Sequence, residues 1–216
     1  MRKLVILLCL LSVFPLLVLV LHFLQSPPYA TAIITSFLAF LTALFAEPIK
    51  RYLLRPKMNV EFKKDTTCIC KTTTANGSTS VYIRVRVNNT STVIAQKCRA
   101  YLVSVERGVD SDFAPTFYCE SMPLAWSCQS PGKEYDSLDI PKGVNQYIDL
   151  IETNSNFGQQ IIPKIMVIPF RYIDLFKDKG KYRFTVLLTG ENVEPVYIKV
   201  VFDWQGVWDQ FTAIEG

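Results

Sequence analysis

Histidine is almost missing from this chain: its 216 residues contain one, His22. A Ser/His or Cys/His nucleophile pair downstream of it is thereby excluded, because no base is present to activate the nucleophile. Also lacking are G-x-S-x-G, a P-loop, G-x-G-x-x-G and H-E-x-x-H, so the usual hydrolase, nucleotide, dinucleotide and zinc-protease sites leave no signature. A third absence is local. Residues 4 to 46 contain no Lys, Arg, Asp or Glu, and such a block does not read as a soluble core helix.

Within that block, a helix over Leu4 to Leu24 ("LVILLCLLSVFPLLVLVLHFL") reaches roughly 30 Å at about 1.5 Å per residue, the thickness of a hydrocarbon core. Pro15 removes one backbone donor and should kink it, as membrane helices tolerate. Pro27 and Pro28 then interrupt, and a second apolar run, Tyr29 to Ala46, is just long enough to cross back before Pro48. The pattern predicts a transmembrane helical hairpin over residues 1–46, with spans 4–24 and 29–46. A competing reading is a cleaved signal peptide, with "MRK" as the charged start and Ala30 to Ala32 as a small-residue cleavage site. The apolar run is longer than a usual signal core, and a further apolar run follows at once.

Charge predicts the topology. Arg2 and Lys3 precede the first span, the connecting loop is uncharged, and Lys50, Arg51, Arg55 and Lys57 fall in "EPIKRYLLRPK", a basic linker over residues 47–57. Cationic flanks stay on the cytoplasmic side. Both chain ends are therefore expected inside, at the plasma (inner) membrane, with these four side chains at the lipid headgroups and the bilayer as a partner. The same rule puts the downstream domain inside even if the first run is a signal peptide. Arg2 and Lys3 supply two of the chain's positive charges and residues 47–57 a net three; removing them from the total of +4 leaves −1 on residues 58–216. A nearly neutral domain offers no basic face for nucleic acid.

From Met58 the apolar period becomes two. "MNVEF" sets Met58, Val60 and Phe62 on one face, and "VYIRVRV" sets Val81, Ile83, Val85 and Val87 against Tyr82, Arg84 and Arg86. "YRFTVLL" and "VYIKVVFDW" repeat the alternation through Leu188 and Trp204. Strict alternation marks half-buried antiparallel strands. Further strands are expected at Gln96 to Glu106, Gln146 to Ile151 and Ile165 to Phe170, a short one around Met122 to Trp126, and a helical turn near Ile173 to Lys177. Turns read at "NNTST", at the Pro-Gly stretch "IPKGVNQ", and at "TGENVEP", which joins the last two long strands as a hairpin. The expected fold is all-β, an antiparallel β-sandwich over residues 58–216.

The stretches "VRVNNTSTVIAQKCRAYLVSVE", "PLAWS", "LDIPKGVNQYIDL" and "GKYRFTVLLTGENVEPVYIKVVFDW" resemble a pattern recurring in uncharacterised prokaryotic proteins that often carry one or two membrane helices. More loosely, they are similar to the immunoglobulin-like CARDB class of bacterial modules. The resemblance covers most of residues 58–205 and implies an immunoglobulin-like sandwich with no activity attached.

Cys9 lies in the first apolar run, leaving Cys68, Cys70, Cys98, Cys119 and Cys128. An odd number cannot all pair, and free thiols are expected in a reducing compartment. Cys98 alternates with Ala100 and Leu102 and reads as a small core residue. Four thiolates could hold zinc, but spacings of one and eight residues do not match zinc knuckles. Asp110 and Asp112 read as solvated, since calcium asks for more oxygen ligands. Glycosylation acceptor patterns at Asn76, Asn88 and Asn89 are short enough to arise by chance. Trp204 continues a core face, Trp126 reads as a plug over the sandwich end, and Trp126 and Trp208 are the candidate partner contacts. No catalytic residue, metal or cofactor is expected. The function expected is a non-enzymatic, membrane-anchored module that binds a protein at the cytoplasmic face. The alternative is an exported sensor or carbohydrate-binding domain with Cys119 bridged to Cys128.

Overall fold

The computed structural model describes residues 28–53, 55–73, 77–110, 112–156 and 160–216. The chain divides into two compact units, Met1–Leu54 and Arg55–Gly216. In the first, helix α1 (Pro28–Leu53) is 26 residues long and exposes Phe37, Phe40, Leu44 and Phe45. It continues through Pro48, so the backbones of Lys50 and Arg51 are helical. The expected span 4–24, with His22 and Cys9, lies outside the described residues. Among the described residues no helix is long and apolar enough to cross a membrane, so the structure does not support the hairpin.

The second unit is built of β-strands. In chain order they are β1 (Met58–Glu61), β2 (Ile69–Thr73), β3 (Thr79–Asn89), β4 (Ala95–Val109), β5 (Asp112–Pro115), β6 (Met122–Pro123), β7 (Ala125–Trp126), β8 (Leu138–Ile140), β9 (Asn145–Asn154), β10 (Ile162–Pro163), β11 (Gly180–Thr189), β12 (Val196–Val207) and β13 (Gln210–Glu215). They form two antiparallel sheets. The first runs β1-β3-β9-β10, with β2 also on β3 and β7 also on β9; the second runs β13-β12-β11-β4-β5, with β6 and β8 also on β4. Alternation decides which side chains meet between them. Val81, Ile83, Val85 and Val87 of β3 join a core with Tyr182, Phe184, Val186 and Leu188 of β11 and with Val200, Phe202 and Trp204 of β12, all buried. Each such aliphatic or aromatic side chain contributes about 1.5–3 kcal/mol by leaving water.

The connection from β3 to β4 passes from one sheet to the other, and Asn89 holds it. Its buried amide Nδ2 donates to the carbonyls of Val93 (2.7 Å) and Ile140 (2.9 Å), while its Oδ1 accepts from the Ser91 N–H (3.0 Å) and hydroxyl (2.8 Å). Asn89 is therefore a structural staple, its acceptor pattern spent on the fold, and Asn88 is bonded to Asn145 (2.8 Å). The Asn76 pattern lies outside the described residues.

One expected strand is corrected. Ile165 to Phe170 is not a strand: β10 is only Ile162–Pro163, Ile165 makes an isolated bridge to Leu124, and two 3-10 turns follow, Phe170–Tyr172 and Asp174–Phe176. The run "IMVIPF" is apolar at nearly every position, so it carries no two-residue period to decide between strand and loop. Strands β2, β5, β8 and β13 were not foreseen.

Candidate functional site

Of the residues expected at a membrane or partner, Trp126 is only 2% exposed. It sits in β7, paired with Ile148, and its N–H donates to the Glu134 carbonyl at 2.7 Å. A side chain so enclosed is not offered to a partner. Trp208 is half-buried and packs on the core, with the Lys71 ammonium 5.2 Å from its ring centroid. Arg55 and Lys57 are exposed at the start of the sandwich unit; nothing is described of the side chains of Lys50 and Arg51.

The structure instead gathers apolar side chains that the sequence reading did not single out. After β5, the Thr116 hydroxyl donates to the Val105 carbonyl (2.6 Å) and the Tyr118 hydroxyl to the Leu102 carbonyl (3.2 Å). These two anchors turn Phe117, between them, outward, where it is 59% exposed. On the neighbouring segment, Ile165 is buried while Met166 and Val167 are 55% and 63% exposed. Pro169 holds an extended backbone (φ −56°, ψ 140°) that ends the segment and begins the 3-10 turn. Phe170, first in that turn, is 90% exposed.

Tyr172 joins the two segments. Its ring, itself buried, stacks on Phe117 with centroids 5.9 Å apart and lies 4.8 Å from Tyr118. Its hydroxyl accepts from the Cys119 N–H at 3.3 Å. Arg171 lays its guanidinium 4.9 Å from the Tyr172 ring centroid and pairs with Glu120. Through Tyr172, exposed Phe117 is thus joined to the segment that carries exposed Met166, Val167 and Phe170, with the Arg171–Glu120 ion pair beside it. A missed signal was available: in "PKIMVIPF" two prolines, Pro163 and Pro169, bracket the four apolar residues Ile165 to Ile168, which argues against a central strand.

The outer face of the first sheet is organised differently. Glu61 pairs with Arg86, Arg84 with Asp149 (2.7 Å) and Lys164 with Glu152 (3.0 Å). Asp149 also accepts from Ser127 (2.5 Å) and Glu152 from Ser80 (2.8 Å). Burial pushes the Glu152 carboxyl up, and the Ser80 hydrogen bond and the Lys164 ammonium more than offset it, leaving its pKa below the usual range. These carboxylates are therefore already committed to partners within the sheet.

Cys68, Cys70, Cys98, Cys119 and Cys128 are all free thiols; Cys68 and Cys98 are buried, Cys119 and Cys128 exposed. Burial, with a smaller push from the Asp139 charge, raises the Cys98 thiol to about 12. Among the described residues no three His, Cys, Asp or Glu side chains are grouped to hold a metal ion, so Cys68, Cys70, Cys119 and Cys128 are not assembled as a zinc site. Comparison of the chain with protein-family models and with curated proteins finds no match.

Proposed function

We propose that this chain is a membrane-tethered, non-enzymatic interaction module whose immunoglobulin-like sandwich faces the cytoplasm and docks a protein partner. The observation that carries the reading is the flank of Phe117, Met166, Val167 and Phe170. Exposed apolar clusters rimmed by polar groups mark contact surfaces, and an aromatic held in place by stacking, as Phe117 is on buried Tyr172, loses little entropy on docking. The paired carboxylates of the first sheet and the lone histidine favour a scaffold over an acid–base site. The tether is supported by the uncharged block 4–46 and by the exposed phenylalanines of α1. Lys50, Arg51, Arg55 and Lys57 support the cytoplasmic side, and anchoring raises the local concentration of module and partner together.

A photo-crosslinking amino acid placed at position 170 of the full chain in cells tests the docking surface. The expected result is a discrete adduct whose yield falls about tenfold on adding Val167→Asp. Adducts no stronger than from exposed position 205 would refute it.

A further inference from the structure

At the end of the sandwich where β1, β4 and β9 begin and β3 and β8 stop, three segments converge on Asn88, Asn89 and Thr90. The entry segment is held by Thr90, whose N–H (2.9 Å) and hydroxyl (3.1 Å) both donate to the Lys57 carbonyl; Pro56 beside it is buried. The loop from β3 to β4 is held by Asn89 through the Val93 carbonyl. The loop from β8 to β9 is held by both asparagines: the Gly143 N–H donates to the Asn89 carbonyl (2.8 Å), and Asn88 Nδ2 donates to the Val144 carbonyl (3.4 Å). Gly143, at φ +74°, takes the left-handed turn that carries this loop from Lys142 to Val144 without strain.

Two aliphatic side chains stand out of these fixed loops: Ile94 is 50% exposed and Val144 37%. Around them Arg55, Lys57 and Lys142 are exposed, and neither lysine has an ion-pair partner among the described residues. The carboxylates of this end are partly drawn back onto β4. Glu191 pairs with the Lys97 ammonium, and Asp139 accepts from the Lys97 N–H at 2.8 Å; Glu194 stays exposed. The balance is positive even so, with Arg55, Lys57, Lys97 and Lys142 against Asp139, Glu191 and Glu194. Aliphatic side chains beside lysines suit the boundary of an anionic bilayer, where the first enter the acyl region and the ammonium groups meet the headgroups.

We propose that this end of the sandwich docks on the anionic membrane surface, with Ile94 and Val144 inserted at the acyl boundary and Lys57 and Lys142 against the headgroups. Such docking rests on the tether proposed above, because the tether joins the sandwich here, through Arg55 to Lys57. It gives the module an orientation that a tether alone does not impose. The flank for the protein partner stays clear of lipid: its anchors at Leu102 and Val105 lie farther along β4, roughly 20 Å or more from Ile94 at about 3.3 Å per residue.

The test reconstitutes the full chain in liposomes of phosphatidylcholine and phosphatidylserine, with a photo-crosslinking amino acid at position 94, 144 or 205 in turn. Flotation on a density gradient reports the tether, and irradiation of the floated chains reports the docking. Lipid adducts at 94 and 144 are expected at least tenfold above those at 205, which is exposed near the far end of β12. Lys57→Glu combined with Lys142→Glu should lower them about fivefold and leave flotation unchanged; cooperative unfolding followed by circular dichroism shows that this variant keeps its fold. A chain that does not float refutes the tether and the docking with it. Floated chains whose adducts at 94 and 144 match those at 205, survive the charge reversal, or join a second copy of the chain in place of lipid would overturn the docking and leave the tether standing.

Discussion

Single residues here are decided by which face of a strand they occupy, and that much was legible in the sequence. Cys98 alternates with Ala100 and Leu102 and is buried with them; Trp204 follows its strand inward in the same way. Trp126 was harder to read, because β7 is two residues long and gives alternation nothing to act on. Replacing it with Ala should cost about 3–5 kcal/mol, seen as a lower urea midpoint of the full chain in detergent by circular dichroism. Glu106 gives a pH signature. The bidentate hydrogen bonds from Arg183 (2.5 and 2.8 Å) hold its carboxyl below the ordinary value, against a smaller opposing effect of burial. A depressed folded pKa contributes stability above the unfolded value, about 4.3, and the contribution is lost as pH falls through the folded pKa. Glu106→Gln should therefore be less stable at pH 7 and show a shallower loss of stability as pH falls below the unfolded value. Equal slopes for variant and parent in an acid titration of the urea midpoint would refute that assignment.

At the scale of elements, the long strands were legible and the short edges were not. β3, β11 and β12 repeat their period often enough to be read; β2 and β13 are five and six residues long, and their placement depends on the strands they pair with. The docking flank failed to show for a related reason. "IMVIPF" is apolar enough for a core strand, and only the tertiary anchors at Thr116, Tyr118 and Tyr172 turn its neighbourhood outward. The hairpin from β11 to β12 was read correctly, but its docking onto β4 was not visible. The Glu191 N–H donates to the Gln96 carbonyl (3.0 Å), and Asn192 Oδ1 accepts from the Gln96 N–H (2.8 Å). A Cβ on Gly190 would lie 2.7 Å from that same carbonyl oxygen. Gly190→Ala must push the hairpin off β4 and should cost about 1–3 kcal/mol, measured by the same denaturation; an unchanged midpoint would show that the contact yields freely.

For the whole molecule, composition and charge were enough to propose a tether and a side of the membrane, and periodicity was enough to read a sandwich. Neither could reveal which surface stays open, because that depends on where edges stop and loops turn. Partner, thiol chemistry and docking all rest on one claim, that the sandwich faces the cytoplasm. The structure sharpens its test by identifying Cys119 and Cys128 as the exposed thiols and Cys68 and Cys98 as the buried ones. Cells expressing the full chain would be treated with a membrane-impermeant maleimide before and after lysis, with a denatured and reduced control to count every thiol. The expected result is no labelling of Cys119 or Cys128 in intact cells, rapid labelling of both after lysis, and protection of Cys68 and Cys98 until denaturation. Labelling in intact cells, or a bridge between Cys119 and Cys128 released only by reduction, would contradict the account and place the sandwich outside.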